Sequence, residues 1–592
     1  MEPILKEKTA QAVQKLYNQD ISPQEVLVNL PPKDFPYDFT VVVFPFSKIS
    51  KKSPDQTAKE IGEELKSSMN QLASYEAIKG FLNLRLKDEY WIEFLVNNSR
   101  NNSFGSSPLN GEKIMIEYCG PNTNKPLHFG HLRNIFLGYS MSRILKAAGY
   151  EVVKVNIYND RGVHICKSML AYQKYGNHET PESSGEKGDH LVGEYYVRFE
   201  KELKEQVASL IKEDFSQDGA KKMAPLNIEI REMLLKWENG DAEVRTLWQT
   251  MNQWVYQGFE QTYKALGVDF DDYYYESETY LAGKEVVEEG LMKELFFKKP
   301  DGSVWVDLTA DGLDEKLLLR ADGTSVYITQ DLGTADMRYS KYKIGNMIYT
   351  VANEQDYHFK VLKLVCKKLR RPYADSIYHL SYGLVDLPTG RMKTREGTVV
   401  DADDTVEEMI TTAEEKTKEV GKIENFSEEE LKQLYRILGL GALKFFLLKV
   451  DPKKKMIFSP EESIDFHGFT GPFIQYTYAR IKSVLRKAAS MSLSPESFSD
   501  LKTLQPQERQ LILQLQQYPS VVKEAANKYE PSIIANYLYH LAKSYNGFYA
   551  ELPILNAEDD TARAFRLNLS SFIASVISKG MFLLGIDVPE RM

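Results

Sequence analysis

One segment, residues 117–131, constrains the fold of this chain more than any other stretch. It follows the short apolar run at residues 114–116 and precedes residues 132–145, whose apolar side chains recur at the spacing of one helical face. The Gly, Pro and Asn residues between them predict a strand, a turn and the N-terminus of a helix. Such a turn presents unpaired backbone N–H groups and a partial positive charge, which favours a phosphate ligand.

Two histidines of this segment, His128 and His131, add side-chain donors to the predicted turn. Gly130 between them lets a planar base approach the backbone. Histidines at this spacing can also bind a metal or fill polar corners of a core. A metal site would need further ligands, and Cys119 is the one candidate nearby in the sequence.

The longer run Pro-Asn-x-x-Lys-Pro-Leu-His-x-Gly-His-Leu-Arg, at residues 121–133, is more specific than the two histidines. It resembles the His-Ile-Gly-His signature of class I aminoacyl-tRNA synthetases. In this extended form it is similar to the signature of arginyl-tRNA synthetases. The resemblance implies a fold that binds ATP at this turn.

The composition fits a soluble globular protein of several domains. With 592 residues, 43% of them apolar and 27% charged, the chain suggests three or four domains. Three cysteines (119, 166 and 366) lie far apart, so neither a disulfide framework nor a bound zinc is expected. No signal peptide or membrane span is recognisable in the sequence, which predicts a cytoplasmic protein without a membrane partner.

The net charge of −10 argues against a general nucleic-acid coat but leaves room for local basic tracks. Such tracks occur at residues 367–371, 453–455 and 480–487. Taken alone, each fits a solvated helix face or turn. These tracks indicate an RNA-binding surface only if an independent observation shows that the protein binds RNA.

The predicted fold class is α/β: a Rossmann-like parallel-sheet catalytic domain with a small α+β N-terminal domain and an all-α C-terminal bundle. A change from mixed elements to helical patterns along the chain supports this division. The predicted domains, with the roles that the resemblance implies, are an N-terminal domain at 1–110, a catalytic domain at 111–400 with a helical insertion at about 176–255, a helical connector at 401–460, and a helical anticodon-binding domain at 461–592.

The N-terminal domain is predicted from a buried strand at residues 38–44, a second strand at 80–86 and a helix between them. Ser53 is the predicted cap of that helix, with Pro54 in its first turn. This order resembles the N-terminal appendage of arginyl-tRNA synthetases. The resemblance implies contact with the outer corner of the tRNA.

Strands are predicted in the second half of the catalytic domain at residues 304–308, 325–329 and 348–352. Polar clusters at 327–331 and 353–358 lie where strands give way to helices. In an open α/β sheet these are the positions from which side chains reach a ligand.

The C-terminal part is predicted to be helical. Thr405 is the predicted cap of one helix, with Glu408 in a capping-box position. Tyr476, Tyr478 and Arg480 lie in a run that resembles the anticodon-binding bundle of arginyl-tRNA synthetases, and they are candidate tRNA-binding residues. Packing within the bundle explains the tyrosines equally well.

In the reaction that the resemblance implies, the carboxylate of an amino acid attacks the α-phosphate of ATP and expels pyrophosphate. The protein must hold the reactants and stabilise charge on the phosphates. The predicted catalytic residues are Lys125, His128, His131, Lys393 and Arg395. The predicted ATP-binding residues are Pro121, Asn124, Lys125, His128, Gly130, His131, Met392 and Lys393.

A second cationic loop, at residues 390–397, resembles the Lys-Met-Ser-Lys-Ser signature with departures. Arg391 stands at the position of the first lysine, Lys393 replaces the serine, and Arg395 matches the second lysine only after an offset of one residue. In isolation the loop fits an ordinary basic turn. Which of Lys125, Lys393 and Arg395 carries most of the pyrophosphate charge stays open.

A carboxylate in fork geometry should bind the guanidinium of arginine, and Asp331 is the best-placed candidate. A structural role as a helix N-cap is the alternative for this residue. The resemblance implies an arginine pocket made of Glu117, Asn122, Tyr327, Asp331 and Gln355.

The predicted function is that of an arginine–tRNA ligase, which forms arginyl-adenylate and transfers arginine to the 3′-terminal ribose of tRNA(Arg). The expected cofactor is Mg²⁺ with ATP, and a monomer is expected from the resemblance. Two alternatives stay open. One is another class I synthetase or a nucleotidyltransferase, and the other is an inactive tRNA-binding paralogue, motivated by the irregular loop at 390–397.

Overall fold

The structure is a computed structural model that describes residues 1–32, 35–386, 400–420, 426–491, 493, 498 and 500–592. The described chain forms two compact units. One contains residues 1–104, 481–518 and 541–576, and the other contains residues 105–480, 519–540 and 577–592. The domain limits predicted from the sequence stay predictions.

The N-terminal part of the first unit is a small α+β arrangement. Its four strands form an antiparallel sheet in the order β1-β2-β4-β3. Its elements are α1 (Glu2–Tyr17), β1 (Val28–Asn29), β2 (Phe39–Val42), α2 (Phe44–Ser50), α3 (Pro54–Ser68), β3 (Leu72–Ile78), β4 (Phe81–Leu86) and α4 (Asp88–Asn98).

Helix α3 begins where the sequence predicts it. The Ser53 side chain accepts a hydrogen bond from the Gln56 N–H, and Pro54 is the first helical residue. The predicted strand at 38–44 is shorter than expected, because Phe44 already begins α2. The small α+β class predicted for this region is confirmed.

A parallel sheet of five strands, in the order β12-β11-β5-β6-β7, is the centre of the second unit. Three further strands form an antiparallel sheet in the order β10-β9-β8, and β13 pairs with β14. The strands are β5 (Lys113–Glu117), β6 (Glu151–Tyr158), β7 (Asp272–Tyr275), β8 (Phe297–Lys298), β9 (Val304–Val306), β10 (Lys316–Leu319), β11 (Asn346–Ala352), β12 (Ile377–Tyr382), β13 (Val385–Asp386) and β14 (Met456–Ile457).

Helices cover this sheet and connect its strands, which confirms the predicted Rossmann-like α/β class. Between β6 and β7 a set of helices packs together, with α8 lying against α6 and α11. The helices are α5 (Phe129–Ala147), α6 (Val163–Tyr175), α7 (Pro181–Ser184), α8 (Gly188–Lys212), α9 (Gln217–Met223), α10 (Pro225–Glu238), α11 (Ala242–Leu266), α12 (Glu276–Met292), α13 (Tyr327–Tyr342), α14 (Asp356–Lys368), α15 (Ala402–Val420), α16 (Glu428–Leu448) and α17 (Pro460–Ser463).

The C-terminal part is helical, as predicted. Helix α20 buries the five apolar positions that recur along its sequence at helical spacing, which are Ile534, Leu538, Leu541, Tyr545 and Phe548. The helices of this region are α18 (Gly471–Ser490), α19 (Pro506–Lys528), α20 (Pro531–Glu551) and α21 (Asp560–Leu583).

Helix α5 is fixed on two sides. Gly138 lies so close to the chain after β5 that an added Cβ would come within 2.3 Å of the Tyr118 Cβ, so only glycine fits there. At the other side, the Ser140 hydroxyl donates to the backbone oxygen of Leu583 over 2.9 Å. Lys444 of α16 donates to the oxygen of the neighbouring Gly585 over 2.6 Å. The helix that follows β5 is therefore held in a defined position.

The predicted strand at residues 325–329 is wrong, because α13 already begins at Tyr327. Only Ser325 makes a strand-like contact, an isolated bridge to Leu319. The run Val-Tyr-Ile has strand propensity, but tertiary packing overrides it. A Cβ on Gly333 would lie 2.3 Å from the backbone nitrogen of Gly283, so α13 packs closely against α12.

The predicted cap at Thr405 is also wrong, because α15 begins three residues earlier, at Ala402. The Asp401 side chain accepts the backbone N–H of Asp403 over 2.7 Å and thus caps this helix. Thr405 lies inside the helix, where its hydroxyl donates to the Asp401 backbone oxygen.

Among the described residues we find no helix with the length and apolar character that crossing a bilayer would require.

Candidate active site

His128 and His131 form the N-terminus of α5 at the carboxyl end of β5. His128 is the N-cap, and its Nδ1 accepts the Gly130 N–H over 3.1 Å. The Nδ1 of His131 accepts the His128 N–H over 3.0 Å. Since each Nδ1 is an acceptor, the proton of each neutral ring lies on Nε2, where it can be donated to a ligand.

Both histidines are held in the neutral form. Burial, together with the nearby Lys125, lowers the pKa of His128 to about 3. Burial also lowers the pKa of His131 well below its ordinary value, and His128 and Lys125 add to the effect. Lys125 itself has a pKa lowered by burial. The site therefore presents two neutral donors and a partly desolvated amine, an arrangement that suits an anion.

A cavity of about 680 Å³ opens next to these residues. Helix α8 forms its opposite wall and packs directly on the turn, since a Cβ on Gly193 would lie 2.6 Å from the Pro126 ring. The cavity has mixed charge and room for a ligand of nucleotide size. Its lining residues are Lys125, Pro126, Leu127, His128, Glu186, His190, Gly193, Glu194, Tyr196, Val197, Arg198, Lys201, Glu202 and Asp401.

Residues 400–402 lie beside the histidines. The Phe129 N–H donates to the Val400 oxygen, and the Ala402 N–H donates to the Leu127 oxygen, each over 3.0 Å. His128 and Asp401 face each other in this short antiparallel bridge. The predicted site residues Met392, Lys393 and Arg395 lie outside the described residues.

A cluster around Lys187 fixes the start of α15 to the wall of the cavity. The Lys187 ammonium donates to Asp403 and Thr262 over 2.6 Å each, and to Asp189 over 3.1 Å. His190 hydrogen-bonds Asp403 over 3.2 Å, and this bond raises the pKa of His190. Although burial opposes it, hydrogen bonds from His190 and Lys187 hold the pKa of Asp403 at about 2.

The predicted ATP-binding residues Pro121 and Asn124 lie at the same edge of the sheet. The Pro121 backbone oxygen accepts the Asn159 N–H over 3.0 Å, which ties the turn to the residue after β6. Asn124 is buried, and its side-chain oxygen has no hydrogen-bond partner among the described residues.

Asp331 lies in the first turns of α13 and hydrogen-bonds His358 of α14. The distance between Asp331 Oδ2 and His358 Nε2 is 2.5 Å. Asp331 is not a helix N-cap, because Val326 holds that position. The alternative of a purely structural capping role is therefore wrong.

Glu117, at the end of β5, forms an ion pair with Arg338, which is 1% exposed. The Arg338 guanidinium also lies 4.7 Å from the Tyr274 ring centroid and 5.6 Å from that of Tyr349. Burial raises the pKa of Glu117; Arg338 opposes this, and the charge of Asp331 adds to it. The carboxylates of Glu117 and Asp331 therefore repel each other electrostatically.

The other three predicted pocket residues present their side chains to solvent. Tyr327 is 71% exposed at the start of α13, and Gln355 lies in a short 3-10 turn directly after β11. Asn122 is exposed and bridges Asn159 at the carboxyl edge of the sheet. Among the described residues, no hydrogen bond joins these three to Glu117 or Asp331.

Sequence reasoning missed Arg338, His358 and Glu276. Arg338 follows Asp331 by two helical turns, so the two share a helix face, but its partner Glu117 is distant in the sequence. Glu276 accepts a hydrogen bond from Gln330 over 2.6 Å, and burial raises its pKa to about 7. The polar cluster at 353–358 was a usable signal for His358 alone.

The three predicted tRNA-binding residues lie in the first half of α18. Tyr478 is 7% exposed, and its hydroxyl donates to Glu590 over 3.1 Å. The Arg480 guanidinium lies 4.8 Å from the Tyr476 ring centroid. Packing thus accounts for part of this group, and its contact with RNA stays a prediction.

Three family profiles match this chain along nearly all of its length. The profile described as tRNA synthetases class I (R), catalytic domain, matches residues 93–459. The DALR anticodon binding domain matches residues 474–592, and the arginyl tRNA synthetase N terminal domain matches residues 3–86.

Curated relatives are similar over the full chain. An arginine–tRNA ligase of Amoebophilus asiaticus is 54% identical, covering 100% of this chain and 99% of its own. One of Bacteroides fragilis is 56% identical, covering 98% of this chain and 97% of its own.

Solved structures of arginyl-tRNA synthetases are also similar to this chain over its full length. The arginyl-tRNA synthetase of Thermus thermophilus has a TM-score of 0.81 at 26% identity, with 100% of both chains covered. That of Plasmodium falciparum has a TM-score of 0.74 at 19% identity, covering 100% of this chain and 98% of its own, and supports the fold alone. The chain therefore belongs to the arginyl-tRNA synthetase family of class I aminoacyl-tRNA synthetases.

Proposed function

We propose that this chain joins arginine to tRNA(Arg) at the expense of ATP, through an arginyl-adenylate. The observation that carries the proposal is that two binding surfaces of different chemistry, one for an anion and one for a cation, lie at one edge of the parallel sheet. Neutral histidine donors lie at the start of α5, with Lys125 in the turn before it. The carboxylates of Glu117 and Asp331 lie at the end of β5 and in the first turns of α13. One surface suits phosphates, and the other suits a cationic amino acid.

In the first step, an oxygen of the arginine carboxylate attacks the α-phosphorus of ATP. A carboxyl–phosphate bond forms as the bond to pyrophosphate breaks. The Nε2–H groups of His128 and His131 donate to phosphate oxygens, and the N-terminus of α5 adds its partial positive charge. Because these groups are already oriented by their own backbone hydrogen bonds, they need no rearrangement when charge shifts to the leaving group.

The pyrophosphate that leaves needs cations. Lys125 supplies one beside His128, and its lowered pKa reflects the burial that strengthens its interaction with an anion. We assign Lys393 and Arg395 the same role and Met392 a place in the ATP site. The position of Val400 beside Phe129 supports this assignment, since the chain returns there to the histidine turn.

Asp331 binds the guanidinium of arginine in this proposal. One of its oxygens is held by His358, which orients the carboxylate. Glu117 is a second carboxylate of the pocket, and Arg338 offsets its charge. The pocket thus keeps about one net negative charge for one guanidinium. Tyr327, Gln355 and Asn122 supply its polar rim.

Mg²⁺ would be bound chiefly by the phosphates of ATP. Within the described residues, the group of histidine and carboxylate side chains close enough to share a metal is Asp189, His190 and Asp403. The Lys187 ammonium already pairs with both carboxylates of this group and occupies the place of a cation, so these donors do not fit a divalent ion. The ion would supply further charge neutralisation on the phosphates.

In the second step, a hydroxyl of the 3′-terminal ribose of tRNA attacks the carbonyl of the adenylate and AMP leaves. We propose tRNA contacts at Tyr476, Tyr478 and Arg480 of α18, and a monomeric enzyme. Similarity to arginine–tRNA ligases over the full chain does not favour another class I synthetase, a nucleotidyltransferase or an inactive paralogue.

The test is pyrophosphate release from ATP with each of the twenty amino acids, with and without total tRNA. Arginine alone should support release, and the same reaction should yield arginyl-tRNA. Release with another amino acid would refute the proposed specificity. Tight tRNA binding without release for any amino acid would point to the inactive paralogue.

A further inference from the structure

A groove of about 530 Å³ runs along β12, the edge strand of the parallel sheet, and α14. We name it the edge groove. It begins next to Gln355 of the proposed arginine pocket, because Asn353 and Asp356 are among its walls. Its lining residues are Asn353, Asp356, Phe359, Lys360, Lys363, Ile377, Tyr378, His379, Ser381 and Lys453.

The edge groove ends at an exposed turn of three lysines, Lys453, Lys454 and Lys455. Their ammonium groups, like that of Lys360 on α14, form no ion pair within the described part of the chain. Lys363 is different, since its ammonium donates to the Asp375 backbone oxygen over 2.7 Å. Unpaired lysines in a row are therefore available to a ligand.

A buried guanidinium holds the lysine turn in place. Arg133 of α5 is 1% exposed and donates to three backbone oxygens: to Gly383 over 2.5 Å, to Lys454 over 2.9 Å and to Pro452 over 3.1 Å. A Cβ on Gly383 would lie 2.7 Å from the Lys454 backbone, so the two segments are in close contact. These hydrogen bonds fix the backbone of the lysine turn, although its side chains are exposed.

The groove also offers an aromatic surface. Tyr378 of β12 is 37% exposed, and its ring packs at a tilt of 33° against Tyr529, with 4.4 Å between the centroids. Nucleic-acid-binding grooves combine lysines that follow the backbone with aromatic rings on which bases or riboses stack. The lining has three lysines, Lys360, Lys363 and Lys453, and one carboxylate, Asp356. This local excess of positive charge occurs in a chain whose net charge is −10.

We propose that the edge groove and its lysine turn bind the phosphodiester backbone of tRNA where the RNA approaches the arginine pocket. This inference rests on the proposed function, in which tRNA is a substrate. The polyanion complements the unpaired lysines, and the fixed turn lets them bind without a further ordering cost. The basic run at 453–455, which the sequence alone left as a possible solvated turn, thereby acquires a role.

The test compares Lys360→Ala/Lys453→Ala with wild type in tRNA binding over a series of salt concentrations. Each lost phosphate contact should reduce the slope of log affinity against log salt by about 0.7–0.9, so the double variant should lose about 1.5. In aminoacylation, the KM for tRNA should rise while kcat at saturating tRNA stays near wild type. The KM values for ATP and arginine should not change.

A matched control is Lys221→Ala/Lys222→Ala, which removes two exposed lysines of α9. Lys360→Arg/Lys453→Arg should keep the wild-type slope, because the charge is retained. An unchanged slope in the alanine variant would overturn the inference. Failure of the proposed function is distinguishable, since wild type would then form no arginyl-tRNA, whatever the salt dependence of its RNA binding.

Discussion

The side chains of Asp331 and His358 meet over 2.5 Å between Oδ2 and Nε2, joining the first turns of α13 and α14. This hydrogen bond fixes the carboxylate that we assign to the guanidinium of arginine. It leaves Oδ1 open within the described structure. His358 therefore acts on the pocket through Asp331.

Replacing His358 with alanine should raise the KM for arginine while the KM for ATP stays unchanged. Hydrogen bonds to charged groups contribute about 1.5–3 kcal/mol, so the expected rise is roughly 10- to 100-fold. Steady-state aminoacylation measures both constants. Asp331→Ala should have a larger effect, and His358→Asn should restore part of the affinity. Equal increases of both KM values would show that His358 supports the whole site.

Lys125→Ala should slow adenylate formation much more than it weakens arginine binding. We assign this amine, which lies beside His128, to the charge that develops on the leaving pyrophosphate, so the rate should fall roughly 100-fold. Single-turnover measurements separate the chemical step from binding. Lys125→Arg should retain much of the rate. Equal losses of rate and affinity would indicate that Lys125 only positions the substrate.

Arg338→Met should destabilise the folded protein by about 3–5 kcal/mol, because Glu117 would then be a buried carboxylate without its partner. The double variant Glu117→Gln/Arg338→Met should recover most of that stability but still bind arginine poorly. Denaturant unfolding and the KM for arginine provide the two measurements. Full recovery of arginine binding in the double variant would exclude Glu117 from the pocket.

His190 should make the stability of this region depend on pH. Its pKa is raised by Asp403, with Asp189 and Asp401 adding to the effect and burial and Lys187 opposing it. The stabilisation is thus fully present below the unfolded pKa of about 6.5 and is lost as pH rises through the raised folded value.

The measurement for this prediction is the difference in Tm between wild type and His190→Asn at several pH values. The difference should be largest below pH of about 6.5 and should shrink at higher pH. Asp403→Asn should abolish the trend. A difference that is constant across this range would refute the assignment to His190.

Local patterns in the sequence correctly predicted the strand, the turn and the helix N-terminus around residues 117–131. The cap formed by His128 and His131 depends on residues within one turn of each other, and the sequence shows these directly. Thr405 illustrates the limit of such patterns. Thr405 and Glu408 satisfy the capping-box spacing, but Asp401 caps the helix because residues 400–402 are held against residues 127–129.

The surroundings of the proposed arginine pocket depend on contacts between residues that are distant in the sequence, and no local pattern shows such contacts. The strand propensity of Val326 and Tyr327 masked the start of α13, a helix that packs closely on α12 at Gly333 and Gly283. Arg338 and Glu117 come from different halves of the chain, so their ion pair follows from the order of strands in the sheet. The family resemblance implied the predicted pocket residues, and the structure adds the side chains that contact two of them, Arg338 at Glu117 and His358 at Asp331.

The short distance between His128 and Arg133 on one rigid helix has a further consequence. The two residues are about 8 Å apart along the axis of α5 at a rise of about 1.5 Å per residue. We assign His128 to the nucleotide, and Arg133 holds the lysine turn. Helix α5 would then fix the distance between the lysine turn, on which the RNA lies, and the α-phosphorus at which arginine is activated.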